Sequence, residues 1–385
     1  MSRGNTIQLN YKTEKDPLTG VPVTCLTDNM GNTIHPYFTQ PLFSADGSYL
    51  LVSSDRTGSW QLYSLELKSG KMLQLTDDAN VSPQSASLDG INMIAYYWNG
   101  GILKSVELAS LKTQELYCTP EGFHPGALCM TADGRYIDFS YSETLKLSST
   151  TGKLYSEMSE TLFRRPSSVV MRFDTSDGTV KALWGEREWI SHVITSPVDP
   201  EIVVFCHEGH WHLVQRTWVI RANTMEVWPI VETKKHLERA GHEFFTKKGR
   251  MVTQYGWRET PTSEWKCSDV FINPDGSGME KFDYYPGPKS MHVQVNSTET
   301  FGVADGAYIS EDFGDAENVM SLVKYEKGVA KQRILCRHDT SWKTQPSHPH
   351  PIFTPDDRYV IFGSDRLGNN NIYMAPASWD DLKDL

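Results

Sequence analysis

The sequence predicts an all-β protein, a single seven-bladed β-propeller domain spanning residues 1–385 and closed by an N-terminal strand. Three observations lead there: a strand-and-turn text that recurs along the chain, a period that suits four strands per copy, and a shortage of helical periodicity between the strands.

The recurring text is clearest in "PLFSADGSYLLVSSDRTGSWQLYSLELKSGKMLQLTD" (41–77), where β-branched and aromatic runs alternate with turns at Ala45-Asp46-Gly47, Arg56-Thr57-Gly58 and Lys68-Ser69-Gly70. Its opening returns as "PIFTPDDRYVIFGSDRLGNNNIYMAPA" (351–377), in which Ser364-Asp365-Arg366-Leu367-Gly368 echoes Ser54-Asp55-Arg56-Thr57-Gly58. Weaker copies are "ASLDGINMIAYY", "MTADGRYIDFSY", "SPVDPEIVVFCH", "TKKGRMVTQYGW" and "NSTETFGVADGA", making seven with both ends. Their turns fall near residues 46, 89, 133, 199, 248, 298 and 356. A period of roughly 40 to 50 residues with four strands per copy is what a propeller requires, since each blade buries its faces only against its neighbours. The last copy ends after its third strand, near Met374, while "LTGVPVTCLTD" (18–28) resembles the outer-strand text "KSGKMLQLTD" (68–77). Residues 1–28 are therefore expected to supply the missing outer strand of the last blade. Only 223–243 and 376–385 read as helical, which disfavours a two-domain α/β chain; a pair of β-sandwiches is the remaining alternative.

Composition narrows the function. The 17 Tyr, 15 Phe and 11 Trp supply a core, and no apolar run approaches the roughly 18 residues of a membrane span. The opening "MSRGNTIQLNYKTEKD" has no apolar stretch suited to secretion, and six cysteines without paired spacing read as free thiols, so a cytoplasmic location is expected. A formal charge of −11 argues against nucleic acid as a partner. An anionic substrate would need a pocket with a positive field of its own.

Histidines are the candidates for that field. Half of the 12 lie in three clusters: His207, His210 and His212 in "CHEGHWH", His242 in "GHEFF", and His348 and His350 in "TQPSHPHP" beside Gln345. "HEGHW" is not the zinc-binding H-E-x-x-H helix, because its second histidine comes one position early and follows the strand text "EIVVF". In an extended chain Glu208, His210 and His212 would share one face, aimed with Arg216 at a common cleft. Prolines 346, 349 and 351 are expected to hold Gln345, His348 and His350 in an extended backbone that points both imidazoles one way. His292 in "KSMHVQVNS" occupies a comparable place before the turn of the preceding copy and would complete the ligand set; the alternative is a structural Pro-rich turn. Three imidazoles and an amide are neutral ligands, so a divalent cation held by them keeps its full charge and attracts a carboxylate.

The whole chain resembles the oligogalacturonate lyases, propeller enzymes of pectin catabolism. The resemblance rests on "LTDNMGNTIHPYFTQPLFSADG", "HEGHWHLVQRTW", "AGHEFF", "PKSMH" and "QPSHPHPIFTPDD". It implies a cytoplasmic enzyme that cleaves saturated or unsaturated digalacturonate by β-elimination to 5-dehydro-4-deoxy-D-glucuronate, with a divalent metal, manganese. It further implies metal ligands at His292, Gln345, His348 and His350, and a base at His242. The residue types fit this chemistry independently. The C5 hydrogen of a uronate is α to a carboxylate, and its removal requires that carboxylate to be neutralised, a task for a dication and Arg216. His242 is expected on a loop that a helical insertion carries over the channel mouth, while His210, His212 and Arg216 are the candidates for substrate contact. Competing readings are a non-enzymatic binding propeller of the TolB type and a three-histidine metal hydrolase. A propeller-linked serine peptidase is disfavoured by the lack of any G-x-S-x-G elbow.

Overall fold

The computed structural model describes residues 2–148, 155–234, 237–284, 292–306 and 318–382. Among them the chain is strand-rich, with a single α-helix, Met158–Arg164, and no helix long and apolar enough to cross a membrane.

Each turn singled out in the sequence joins the first two strands of an antiparallel meander. The first strands are Thr33–Ile34, Val81–Asp89, Phe123–Met130, Ile190–Thr195, Glu238–Phe245, Val293–Val295 and Ile352–Phe353. They pair in that order with Tyr49–Ser54, Ile94–Asn99, Tyr136–Glu143, Ile202–His207, Met251–Trp257, Phe301–Ala304 and Tyr359–Ser364. One device closes several turns. Asp46 Oδ1 accepts from Ser44 Oγ and the Ser48 amide, and Ser44 Oγ in turn accepts from the Tyr49 amide. Thr131 with Asp133, and Thr354 with Asp356, repeat this arrangement. Short polar side chains that bond their own backbone satisfy the groups a tight turn leaves open. Gly47 and Gly134 take the left-handed position there, both at φ +72°.

The N-terminal segment joins two sheets. Pro22–Cys25 runs antiparallel to Asn371–Pro376, with Thr24 opposite Met374 and Cys25 opposite Tyr373. Lys12–Lys15 lies outside it as the edge strand, and Thr6–Gln8 crosses to pair with Lys71–Gln74 of the first meander. The sequence did not reveal either of these additional strands. Two meanders merge into one sheet through a short parallel contact of Asp283 and Tyr284 with Val329 and Ala330.

Apolar clusters lie between successive meanders. Leu51 and Leu62 meet Ala86 and Leu88; Trp98 and Leu103 meet Leu128 and Phe139; Val170 and Leu183 meet Ile190 and Val203; Ile194 and Val204 meet Ala240 and Met251. Leu322 and Leu335 meet Val360 and Phe362, and a larger cluster brings Leu50 and Tyr63 of the first meander together with Ile361 and Ile372 of the last. Removing both faces of each sheet from water is the main source of stability in such an arrangement.

The helical expectations are corrected. Residues 223–243 contain the strand Glu226–Pro229 and enter the strand Glu238–Phe245, and no helix occurs at 376–382; residues 383–385 lie outside the described ones. Sheet pairing overrides helix propensity where the segment is described, with Val227 opposite Ile220 and Arg239 opposite Gly256; residues 235–236 lie outside the described ones. The helical insertion instead lies within the third repeat, between Tyr136–Glu143 and Ser168–Asp174, where the sequence showed its widest turn spacing.

Candidate metal centre

Gln345 begins a 3₁₀ turn, Gln345–Ser347, capped by Thr344, whose amide donates to Ser347 Oγ at 3.0 Å. The expected continuous extension is thus replaced by three different conformations. His348 leaves the turn extended (φ −70°, ψ 142°), and His350 takes the left-handed region at φ +45°. A left-handed non-glycine residue costs of order 1–3 kcal/mol and persists where its surroundings fix it. Here it turns the His350 ring back toward His348, with centroids 5.6 Å apart.

His292 arrives from the neighbouring meander. Its ring lies 4.3 Å from that of His350 and 5.5 Å from that of His348. One nitrogen from each of the three imidazoles falls within 4.8 Å of the others. All three residues are buried, and Nε2 of His292, Nδ1 of His348 and Nε2 of His350 have no hydrogen-bond partner among the described residues. Three converging, unsatisfied buried acceptors would be costly without a ligand, and a cation satisfies all of them at once. Burial, followed by the neighbouring His292, pushes His348 down to about 4, and His350 lies well below the ordinary histidine value for the same reasons. Neutral imidazoles are what a metal needs, because a protonated nitrogen cannot ligate.

Asp305 completes the surroundings of the site. Its Oδ2 pairs with His292 Nδ1 at 2.5 Å, and its Oδ1 accepts from the His292 amide at 2.7 Å. A carboxylate behind a ligating histidine fixes the tautomer and aims Nε2 at the metal. "FGVADG" gave no sign of this role, because its aspartate is remote in sequence from every candidate ligand. Gln345 faces the adjoining cavity, and its Oε1 accepts from Tyr155 Oη at 3.0 Å.

His242 stands beside these three imidazoles, its ring 4.5 Å from that of His292. It lies on a strand, Glu238–Phe245, and not on a loop. A bulge between Ala240 and Glu243 sets Gly241 and His242 against a single partner residue, which bends the strand and re-aims the side chains. Gly241 is required by packing, since a Cβ there would lie 2.3 Å from the Trp211 ring. That ring meets His242 edge-on at 5.1 Å.

A cavity of about 890 Å³ opens over His242 and is lined also by Tyr37, His192, Glu208, His210, Trp211, His212, Arg239 and Gln345. The segment carrying His210 and His212 leaves its strand at His207, so strand alternation does not apply to it. His210 reaches the helical insertion, where Nε2 lies 2.8 Å from Ser159 Oγ, while His212 is exposed and sits 6.1 Å from His210, ring to ring. Partial burial, then the charges of His210, Arg258 and Arg239, lowers the His212 pKa. Arg216 lies behind the wall, 1% exposed, with Nε donating to Glu243 at 2.9 Å and Nη1 to Glu208 at 3.0 Å. Burial alone would raise Glu208, but Arg216 and His192 beside it hold its carboxyl down to about 2.

The sequence matches the family model described as oligogalacturonate lyase over residues 1–379. It is 28% identical over 389 residues to the oligogalacturonate lyase of Dickeya dadantii (strain 3937), covering 97% of this chain and 98% of that protein. The fold superposes on a solved oligogalacturonate lyase in complex with manganese with a TM-score of 0.87 and 27% identity, over 99% of this chain and all of the other. An oligogalacturonate lyase structure from Vibrio parahaemolyticus gives 0.86 and 25%, over 98% of this chain and all of the other. The chain belongs to the oligogalacturonate lyase family and is a lyase that acts on oligogalacturonates.

Proposed function

We propose that the protein cleaves digalacturonate and short unsaturated oligogalacturonates by β-elimination, releasing 5-dehydro-4-deoxy-D-glucuronate, with manganese held by His292, Gln345, His348 and His350 and with His242 as the base. The observation that carries this reading is the convergence of three buried imidazole nitrogens, without a hydrogen-bond partner among the described residues, beside a fourth, cavity-lining histidine. Manganese is taken from the related lyase solved with that metal. A bound divalent ion supplies the positive charge that neutralises the uronate carboxylate and so makes the C5 hydrogen acidic.

The chain's own residues do the rest. His242 accepts the C5 proton, and Trp211 fixes its ring. His210 and His212, which line the same cavity, present donors to the sugar hydroxyls and carboxylates. Arg216 acts through the cluster it forms with Glu208 and Glu243, which already engage its guanidinium. In the fold that supports this site, the seven meanders are seven blades of one propeller, residues 1–385. The Pro22–Cys25 strand completes the last blade and closes the ring, a reading supported by the apolar clusters between successive sheets and between last and first. The six cysteines are free, which suits a reducing cytoplasm.

The test is incubation of the manganese-loaded protein with digalacturonate, with products separated and weighed by mass spectrometry. The 5-dehydro-4-deoxy product together with galacturonate is expected. Two galacturonates would mean hydrolysis and would overturn the elimination reading.

A further inference from the structure

Elimination across C4–C5 requires a second proton transfer that His242 cannot supply. In a galacturonate chair the C5 hydrogen and the C4–O4 bond lie on opposite faces of the ring. The group that takes the first proton is therefore not placed to give one to O4.

Of the imidazoles that line this cavity, His192 is the one whose ring lies beside that of His242. It stacks near His242, with centroids 5.9 Å apart and planes 15° from parallel, and its other ring neighbour is Tyr37 at 5.1 Å. Its backbone is set for this position: Ile190–Thr195 carries a bulge between Ser191 and Ile194, and His192 sits within it at φ +50°. The base and its neighbour are thus both bulge residues on the first strands of adjacent meanders. Bulges beside active sites re-aim side chains, and left-handed non-glycine residues persist where a site over-determines them.

The other end of the ring is anchored. His192 Nδ1 lies 2.7 Å from Glu243 Oε1, a completely buried carboxylate to which it can only donate, and 3.3 Å from Nη2 of Arg216, which bonds the same glutamate. Nε2 then faces the cavity side, 3.9 Å from Glu208 Oε2. Two glutamates and one guanidinium surround this end of the ring, with Arg216 bridging Glu208 at 3.0 Å and Glu243 at 2.9 Å. His192, Cys206 and Glu243 also have the closeness of a metal site, but Arg216 already places its charge 2.9 Å from Glu243, and burial pushes the Cys206 thiol well up. A cation is excluded there by a cation already present.

We propose that His192, anchored by Glu243, is the general acid that protonates O4 of the leaving sugar. The inference rests on the elimination reading above. The C5–H bond breaks and its proton passes to His242; the electron pair forms the C4=C5 double bond; the C4–O4 bond breaks, and O4 takes the proton from His192 Nε2. One proton is taken and one is given, and transfer of a proton from His242 to His192 through solvent restores the enzyme.

The experiment compares wild type with His192→Gln on digalacturonate and on a methyl galacturonoside carrying fluorine in place of the 4-hydroxyl, whose fluoride departs without a proton. His192→Gln is expected to retain metal and near-ultraviolet circular dichroism, to lose about 10²- to 10³-fold in kcat on digalacturonate, and to release fluoride within a few-fold of wild type. Equal losses on the two substrates would overturn the acid role, as would unchanged turnover of digalacturonate. Wild type that eliminates neither substrate would overturn the elimination reading itself, and the role of His192 with it.

Discussion

At the scale of single residues, the site separates neutral imidazoles from charged supports. His348 and His350 are kept neutral by burial and then by the neighbouring His292, so they offer lone pairs at any pH near 7. His348→Ala and His350→Ala should lose bound metal and activity together while circular dichroism stays native, because neither ring belongs to an apolar cluster between sheets. Asp305→Asn should keep all three imidazoles yet weaken metal affinity by roughly 10- to 100-fold, read by competition with a chelator. Undiminished affinity in that variant would show that Asp305 is merely structural. His242→Ala is expected to bind metal and digalacturonate as wild type does and to lose about 10²- to 10⁴-fold in turnover. Turnover within a few-fold of wild type would move the base elsewhere. His242 and His348 could be singled out from sequence because each sits in a dense local text; His192 could not, since "WISHVIT" holds one histidine in ordinary strand text.

At the scale of elements, bulges and bridges between sheets do what the repeat alone cannot. Asp269, on the strand Lys266–Ile272, accepts from Tyr284 Oη at 2.5 Å and, across to the next meander, from Tyr325 Oη at 2.7 Å. Burial raises its pKa to about 6 even though both phenols favour the ionised form, and Oδ1 has no partner. The folded value lies above the unfolded one, so this carboxyl's contribution is fully present below about pH 4 and is lost as pH rises through 6. Asp269→Asn carries no charge in any of this range. Relative to that variant, wild type should therefore gain of order 2 to 3 kcal/mol in unfolding free energy between pH 7 and pH 4, measured by urea titration. A difference independent of pH would mean that Asp269 is already ionised or already neutral throughout. The helix Met158–Arg164 is another such element: it buries no residue of its own, yet Ser159 holds His210 and the residues before it line the cavity.

At the scale of the whole molecule, a chain with a net charge of −11 binds an anion by concentrating neutral and cationic groups at one place. The fold must therefore hold distant segments in register, and the N-terminal segment is part of how it does so. Residues 6–8 pair with the first meander and 22–25 with the last. Deleting residues 1–28 would expose the Asn371–Pro376 edge and uncover Tyr373, which is 1% exposed. Insoluble or aggregated protein is the expected result, judged by size-exclusion chromatography, since an unpaired flat edge recruits other chains. A soluble and active truncation would sink the ring-closure reading.

The repeat was legible because its physics is local. Ser44-Ala45-Asp46-Gly47 and Thr354-Pro355-Asp356-Asp357 encode turns through their own side chains, and alternation along each strand encodes which face is buried. The same locality revealed Gln345, His348 and His350, three candidates within six residues, and the N-terminal strand, whose text copies an outer strand. Tertiary structure alone decided the rest. Whether the described residues of 223–243 became helix or strand depended on sheet partners at Thr217–Arg221 and Met251–Trp257, not on their own propensity. Asp305 reached His292, and Glu243 reached His192, only once separate strands were paired and bulged, because those contacts cross 13 and 51 residues of chain with no shared period. Sequence spacing specifies neighbours along a strand; it carries no information about which side chains meet where several strands converge.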